Sequence, residues 1–239
     1  MPLPKISTPT YELNLPSTGK KVQYRPFLVR EEKLLVLALE TEDPKDITTA
    51  MKTVIKNCIQ TRGIKVETLP TFDIEYLFLN IRGKSVGEEI EVSIICPDDE
   101  QTTVPVVLNV DDIKVQKSKE HTTKIQIDNS LIMEMKYPSL DQFIKNNFDF
   151  SEENQIDQSF QLITSCIDKI YNEEEVWSTA DVTNKEITDF LEQMNSKQFK
   201  QVEKFLETMP KLSHDIKVKN PNTGVESTVV LEGLASFFW

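Results

Sequence analysis

Gly83-Lys84-Ser85-Val86-Gly87 is the string in this chain that most resembles reaction chemistry. It matches G-x-S-x-G, in which a sharp strand-to-helix turn exposes a serine for attack on a carbonyl. That chemistry needs a strand before the turn, a helix after it, and a histidine and a carboxylate further along. Here the hydropathy pattern reverses the order, with a helix before and a strand after. The chain holds only two histidines, His121 and His214, and no convincing triad forms around either. The same residues also read as the end of a phosphate-binding loop, but Phe78 stands where that loop needs its first glycine. The string is read as a turn between a helix and a sheet.

Metal chemistry is little better supported. Neither Cys-x-x-Cys nor His-x-x-x-His occurs. Cys96-Pro97-Asp98-Asp99 has the shape of one zinc-knuckle arm without its second cysteine, and Asn220-Pro221-Asn222-Thr223-Gly224 has that shape with no thiolate. Turn formation explains both. Cys58 lies on an apolar helical stripe and Cys166 beside one, so both read as small buried hydrophobes. Three cysteines, odd in number and widely spaced, give no disulfide framework and point to a reducing compartment. His214 reads as a hydrogen-bonded structural residue. No catalytic residue, no cofactor and no metal ligand is assigned, and the chain is read as a non-enzyme.

The elements that would carry any site are legible from periodicity. Tyr11, Leu13 and Leu15 alternate with polar neighbours, and turn residues then lead to Val22-Gln23-Tyr24, which predicts an N-terminal hairpin. A helix follows from about Val29 to Glu40. Its stretch Leu34-Leu35-Val36-Leu37-Ala38-Leu39 is apolar almost all round and is expected at the centre of the core. Ile47, Ala50, Met51, Val54, Ile55 and Cys58 mark a second helix. Thr71 is placed as the cap of a third, carrying Ile74, Leu77, Phe78 and Ile81. Strands are predicted at 90–96, 103–108, 124–127 and 131–135. Ser139 and Gln142 have capping-box spacing, as do Thr183 and Glu186. Ile156, Phe160, Ile163, Ile167 and Ile170 are assigned to one helix, and Ser196 is placed as the cap of a helix holding Phe199, Val202, Phe205 and Met209. Two strands, at 215–219 and 226–231, close the chain.

The order of elements repeats. Ile90-Glu91-Val92 before Cys96-Pro97 echoes Ile216-Lys217-Val218 before Asn220-Pro221, and Val106-Val107-Leu108 echoes Val229-Val230-Leu231. The expected fold class is α+β: two similar halves, 1–120 and 121–239, each of helices packed on short antiparallel hairpins.

With 239 residues the chain can bury a substantial core, and its formal charge of −12 argues against nucleic acid or an anionic membrane surface as partner. The longest strongly apolar run, Leu34 to Leu39, falls far short of the ~20 residues of a membrane span. The N-terminus lacks the basic-then-apolar layout of a signal peptide, so no membrane insertion and a cytoplasmic setting are expected. Residues 149–193 hold 12 acidic residues against two basic ones, so most of the net charge sits there. Glu173, Glu174 and Glu175 are the candidates for docking a basic partner. The apolar C-terminal Phe237, Phe238 and Trp239 are candidates for a second contact.

Two segments carry a family resemblance. Lys20-Lys21-Val22-Gln23-Tyr24-Arg25-Pro26-Phe27-Leu28-Val29-Arg30-Glu31-Glu32-Lys33-Leu34-Leu35 is one. The other, within Phe199 to Phe238, includes Phe205-Leu206-Glu207-Thr208-Met209-Pro210-Lys211-Leu212-Ser213-His214. Together they resemble the baseplate hub and hub-assembly protein family of T-even-type contractile-tailed bacteriophages. The resemblance implies a non-enzymatic role in assembling the baseplate central hub, as a factor or chaperone binding other hub proteins or the tape-measure protein in the host cytoplasm. The alternative it implies is a permanent structural subunit of the virion tail baseplate. It brings no active site and no oligomeric state. A cysteine knuckle is expected in relatives where Asn220 to Gly224 stands, and its loss here removes a zinc expectation.

Overall fold

The structure is a computed structural model and describes residues 6–142, 155–233 and 236. It is α+β, as expected, with short antiparallel sheets and helices. The chain forms two compact units, one from Met1–Gln116 with Lys211–Trp239 and the other from Lys117–Pro210. The second is thus inserted between two parts of the first, and the two closing strands belong with the N-terminal segment.

In the first unit, strands β1 (Tyr11–Asn14) and β2 (Lys21–Tyr24) pair as the predicted hairpin, with Leu13 opposite Val22. Three helices follow: α1 (Val29–Leu39), α2 (Pro44–Cys58) and α3 (Thr71–Val86). Asp43 caps α2 by accepting the Lys45 N–H at 2.8 Å, and Pro44 opens the helix, where its missing N–H costs nothing. Pro70, not Thr71, occupies the cap of α3 and offers no side-chain bond. Asp73, buried in the first turn of α3, does the anchoring there. Its carboxylate accepts the Ser17 N–H at 3.0 Å and the Ser17 hydroxyl, which fixes the β1–β2 turn.

Gly83-Lys84-Ser85-Val86 forms the last turn of α3, and the loop begins only at Gly87, whose φ of 136° suits glycine. The turn reading of that string is therefore corrected: the helix runs through it. A Cβ at Gly83 would lie 3.1 Å from the Val110 side chain, so a larger residue there makes Val110 give way by a few tenths of an ångström. Strands β3 (Glu89–Ile95) and β4 (Thr103–Asn109) form one hairpin. Strand β5 (Lys114–Gln116) joins β10 (Lys211–Lys219) and β11 (Glu226–Glu232) in a three-stranded sheet of order β11-β10-β5.

In the second unit, β6 (Lys124–Gln126), β7 (Ile132–Met135), β8 (Ile167–Tyr171) and β9 (Val176–Ser178) form one antiparallel sheet in chain order. Helices α4 (Gln155–Cys166), α5 (Asn184–Glu192) and α6 (Ser196–Glu207) pack with it. The core gathers Ile125, Met133, Ile163, Ile167, Ile187, Leu191, Val202 and Phe205. The expected long helix through Ile170 is corrected, because the chain turns into β8 directly after Cys166. Thr183 and Glu186 form the expected capping box on α5. On α6 the cap is Asn195 rather than Ser196, accepting from the Lys197 and Gln198 N–H groups.

His121, half-buried, packs at the margin of this second core. The single Thr208 hydroxyl hydrogen goes to the Lys204 carbonyl at 2.6 Å, so the 3.0 Å contact with His121 places the ring hydrogen on Nδ1. Nε2 is then left to accept the Tyr137 hydroxyl at 2.9 Å. The ring stacks on Tyr137 and lies 5.2 Å from the Phe205 centroid. Burial, helped by Lys117, lowers its pKa, in keeping with a neutral ring.

Candidate functional site

Helix α1 contradicts the expectation that it lies at the centre of the core. Only Glu31 and Ala38 are buried on it, while Val29 is 80%, Val36 49% and Leu37 50% exposed. Leu34 and Leu39 are exposed as well. The helix is apolar almost all round, yet among the described residues its main packing is on one side, against α2.

The start of α1 is fixed by a buried ion pair. Arg25 Nη2 lies 3.0 Å from Glu31 Oε1, and Arg25 also donates to the Pro26 carbonyl at 2.8 Å. Glu31 accepts the Leu28 N–H at 2.9 Å and the Arg30 guanidinium at 2.7 Å. Burial pushes the Glu31 carboxyl up, but the hydrogen bonds from Arg25, Leu28 and Arg30 outweigh it and bring the pKa to about 2. The segment from Tyr24 to Glu31 thus sets where the exposed helix begins.

Ser85 is not poised as a nucleophile. Its hydroxyl donates to the Ile81 carbonyl at 2.5 Å and accepts the Phe27 N–H at 2.9 Å, so its role is to tie α3 to the segment leading into α1. Cys58, Cys96 and Cys166 are all buried. Burial raises the thiols of Cys58 and Cys166 to about 11, far from a reactive thiolate.

The two knuckle-shaped turns meet in the first unit. In each, the residue four positions on donates back to the carbonyl of the first, Glu100 to Cys96 and Gly224 to Asn220. Those two residues share a left-handed backbone, with φ of 54° and 77°. The Asn220 amide, almost fully buried, donates to Asp98 at 3.0 Å and to Asp99 at 2.9 Å. The Thr223 hydroxyl donates to Asp98 at 2.5 Å, and the Asn222 amide donates to Thr102 at 2.9 Å. Bonds from the Thr223 hydroxyl and the Asn220 amide hold the Asp98 carboxyl below its usual range. Asp99 is held lower still, chiefly by the Thr102 hydroxyl and N–H.

This cluster does not fit zinc. Cys96 is its one thiol, raised by burial and by the two aspartates, and the buried amide points N–H donors rather than a lone pair at its neighbours. Among the described residues, no group of three or more His, Cys, Asp or Glu is placed to hold a metal ion. Hydrogen bonds join the two turns where a knuckle would use a metal.

Glu173, Glu174 and Glu175 sit at the β8–β9 turn, all exposed. The Asn172 side chain accepts the N–H groups of Glu174 and Glu175 at 2.9 and 2.7 Å and shapes the turn. Phe237, Phe238 and Trp239 lie outside the described residues. Beside the glutamates the structure shows a feature not foreseen from the sequence. Leu131, Ile170, Trp177, Val182, Ile187 and Phe190 line an open apolar groove of about 290 Å³. Its one readable signal is Val176-Trp177, a bulky apolar pair directly after three glutamates. No helix among the described residues is long and apolar enough to cross a membrane.

A protein-family model described as T4 bacteriophage base plate protein matches residues 8–239. No curated protein and no solved structure matches the chain.

Proposed function

The chain belongs to this family of phage base plate proteins, and we propose that it acts without catalysis in assembling the central hub of the base plate. In this reading it binds other hub proteins or the tape-measure protein in the host cytoplasm, as an assembly factor rather than a lasting part of the tail. The match over residues 8–239 carries the base plate role.

The exposed apolar residues of α1 support a partner-bound role. A helix carrying Val29, Leu34, Val36, Leu37 and Leu39 in solvent gains stability when another protein covers it. Capture of Ser85 by two hydrogen bonds and the buried thiols supports a non-catalytic reading.

The test is a phage in which this gene is disrupted, with hub intermediates followed in infected cells. The proposal expects hubs to fail to form, and wild-type protein supplied from a plasmid to restore them. Normal hubs in the disrupted phage would overturn it. A Leu34→Ser/Leu37→Ser variant that folds but restores few hubs would place the partner contact on α1.

A further inference from the structure

The groove in the second unit combines an apolar floor with an acidic surround. Ile170 and Trp177 are directly opposed across β8 and β9, so their side chains share one face of the sheet. Val182, Ile187 and Phe190 supply the other wall from α5 and the loop before it, and Leu131 closes one side. The volume, about 290 Å³, is at the small end of ligand-sized pockets (about 300–1,000 Å³) and suits one or two bulky side chains rather than a whole cofactor. Trp177 is 38% and Val176 65% exposed, an uncommon placement for large apolar residues on an edge strand.

The segment that runs from the β8–β9 turn through α5 is one-sided in charge, while Lys136 reaches the groove lining by donating to the Thr179 hydroxyl at 3.3 Å. Between residues 173 and 192 stand seven acidic side chains and a single basic one, Lys185. Among the described residues, no cation lies within ion-pair distance of Glu173, Glu174, Glu175, Asp181, Asp189 or Glu192. Glu186, on the groove wall, has its carboxyl pKa lowered by the Thr183 N–H and hydroxyl, so it is charged too. Nearby carboxylates without counter-charges repel one another, and a cationic partner removes that repulsion. The same field disfavours nucleic acid, anionic lipid and a second copy of this acidic chain.

We propose that this groove docks a lysine- or arginine-rich segment of another protein, which inserts a bulky apolar side chain against Trp177 and Phe190 while its cations face Glu173, Glu174 and Glu175. The apolar anchor provides most of the affinity, and the acidic surround provides rate and selectivity. The groove's chemistry stands on these residues alone, whereas assigning the segment to another base plate protein rests on the function proposed above.

The test uses the full chain and a short fluorescein-labelled peptide of lysine and glutamine carrying one phenylalanine, read by anisotropy. One control peptide has serine for phenylalanine and another has glutamate for lysine. The proposal expects the first peptide to bind at least about tenfold more tightly than either control, and to lose affinity between about 50 and 500 mM salt. Glu173→Gln/Glu174→Gln/Glu175→Gln is expected to weaken binding several-fold, and Trp177→Ser by at least about tenfold. Should Trp177→Ser fail to fold, Val182→Asp places a charge in the same groove and serves instead. Absence of binding, equal binding of the serine peptide, or full binding to a folded groove variant would overturn the proposal. These outcomes read the groove alone, while hub formation in the gene-disrupted phage reads the proposed function, so the two fail separately.

Discussion

Replacing Glu31 by glutamine removes the charge on which the start of α1 is built. In the folded protein this carboxyl sits at about 2 against an ordinary 4.5. At about 1.4 kcal/mol for each pH unit of that gap, the charged form contributes roughly 3 kcal/mol near neutrality. The figure agrees with the ~3–5 kcal/mol that follows when one partner of a buried ion pair is removed. Because the folded pKa is the lower one, the contribution is complete above about pH 4.5 and declines as pH falls toward 2. By about pH 3 it has dropped to roughly 1.5 kcal/mol. Urea unfolding followed by circular dichroism measures this directly. With a slope of about 2 kcal/mol/M, Glu31→Gln is expected to lower the midpoint by about 1.5 M at pH 7, and by about half of that at pH 3. Arg30→Ala is the matched control: Arg30 contacts the same carboxylate at 2.7 Å, yet its side chain is 70% exposed, and a loss below about 1 kcal/mol is expected. A Glu31→Gln shift below about 0.3 M at pH 7, or one that does not change with pH, would refute the reasoning.

Other outcomes follow from the same structure. Asn220→Ala is expected to destabilise the first unit by about 1–2 kcal/mol through the lost amide bonds, while a zinc chelator leaves the wild-type melting curve unmoved; calorimetry reads both. Since Asp98 and Asp99 titrate below their ordinary range, the turn-to-turn contact is expected to persist at pH 5 and to open in stronger acid, followed by the side-chain NMR signals of Asn220. Phe205→Ala is expected to cost about 3–5 kcal/mol, because the ring is buried between Tyr137, His121 and the α6 core; denaturant unfolding checks it. His121, with a pKa below 6.5, favours folding fully above that pH and less as pH falls through its folded value, so His121→Gln should flatten the stability profile there.

Much of the local structure was legible in the sequence, because its signals are short-range. The alternation of Tyr11, Leu13 and Leu15, the α2 stripe and the Thr183–Glu186 capping box each depend on neighbours a few residues away. Strand β8 was hidden by a bulge. Between Glu134 and Met135 the register shifts, so that Ile167 pairs with Met135 and Ile170 with Met133. Two residues three apart therefore point to one core, which imitates helical spacing. The echo between Cys96-Pro97 and Asn220-Pro221 marked two turns of matching backbone, but their contact is tertiary and no local pattern encodes it. The exposure of helix α1 escapes the sequence for a different reason. Apolar residues all round a helix show that it wants cover, and not whether that cover comes from its own chain. The acidic run around Glu173 to Glu175 was visible as charge, whereas the groove beside it needs β8, β9 and α5 brought together.

Quantitative mass spectrometry of purified mature tails, compared with hub intermediates from the same infected cells, tests the proposed role most directly. An assembly factor is present in the intermediates and absent from the finished tails. A fixed whole-number stoichiometry in the finished tails would contradict that role and make the chain a permanent subunit of the base plate.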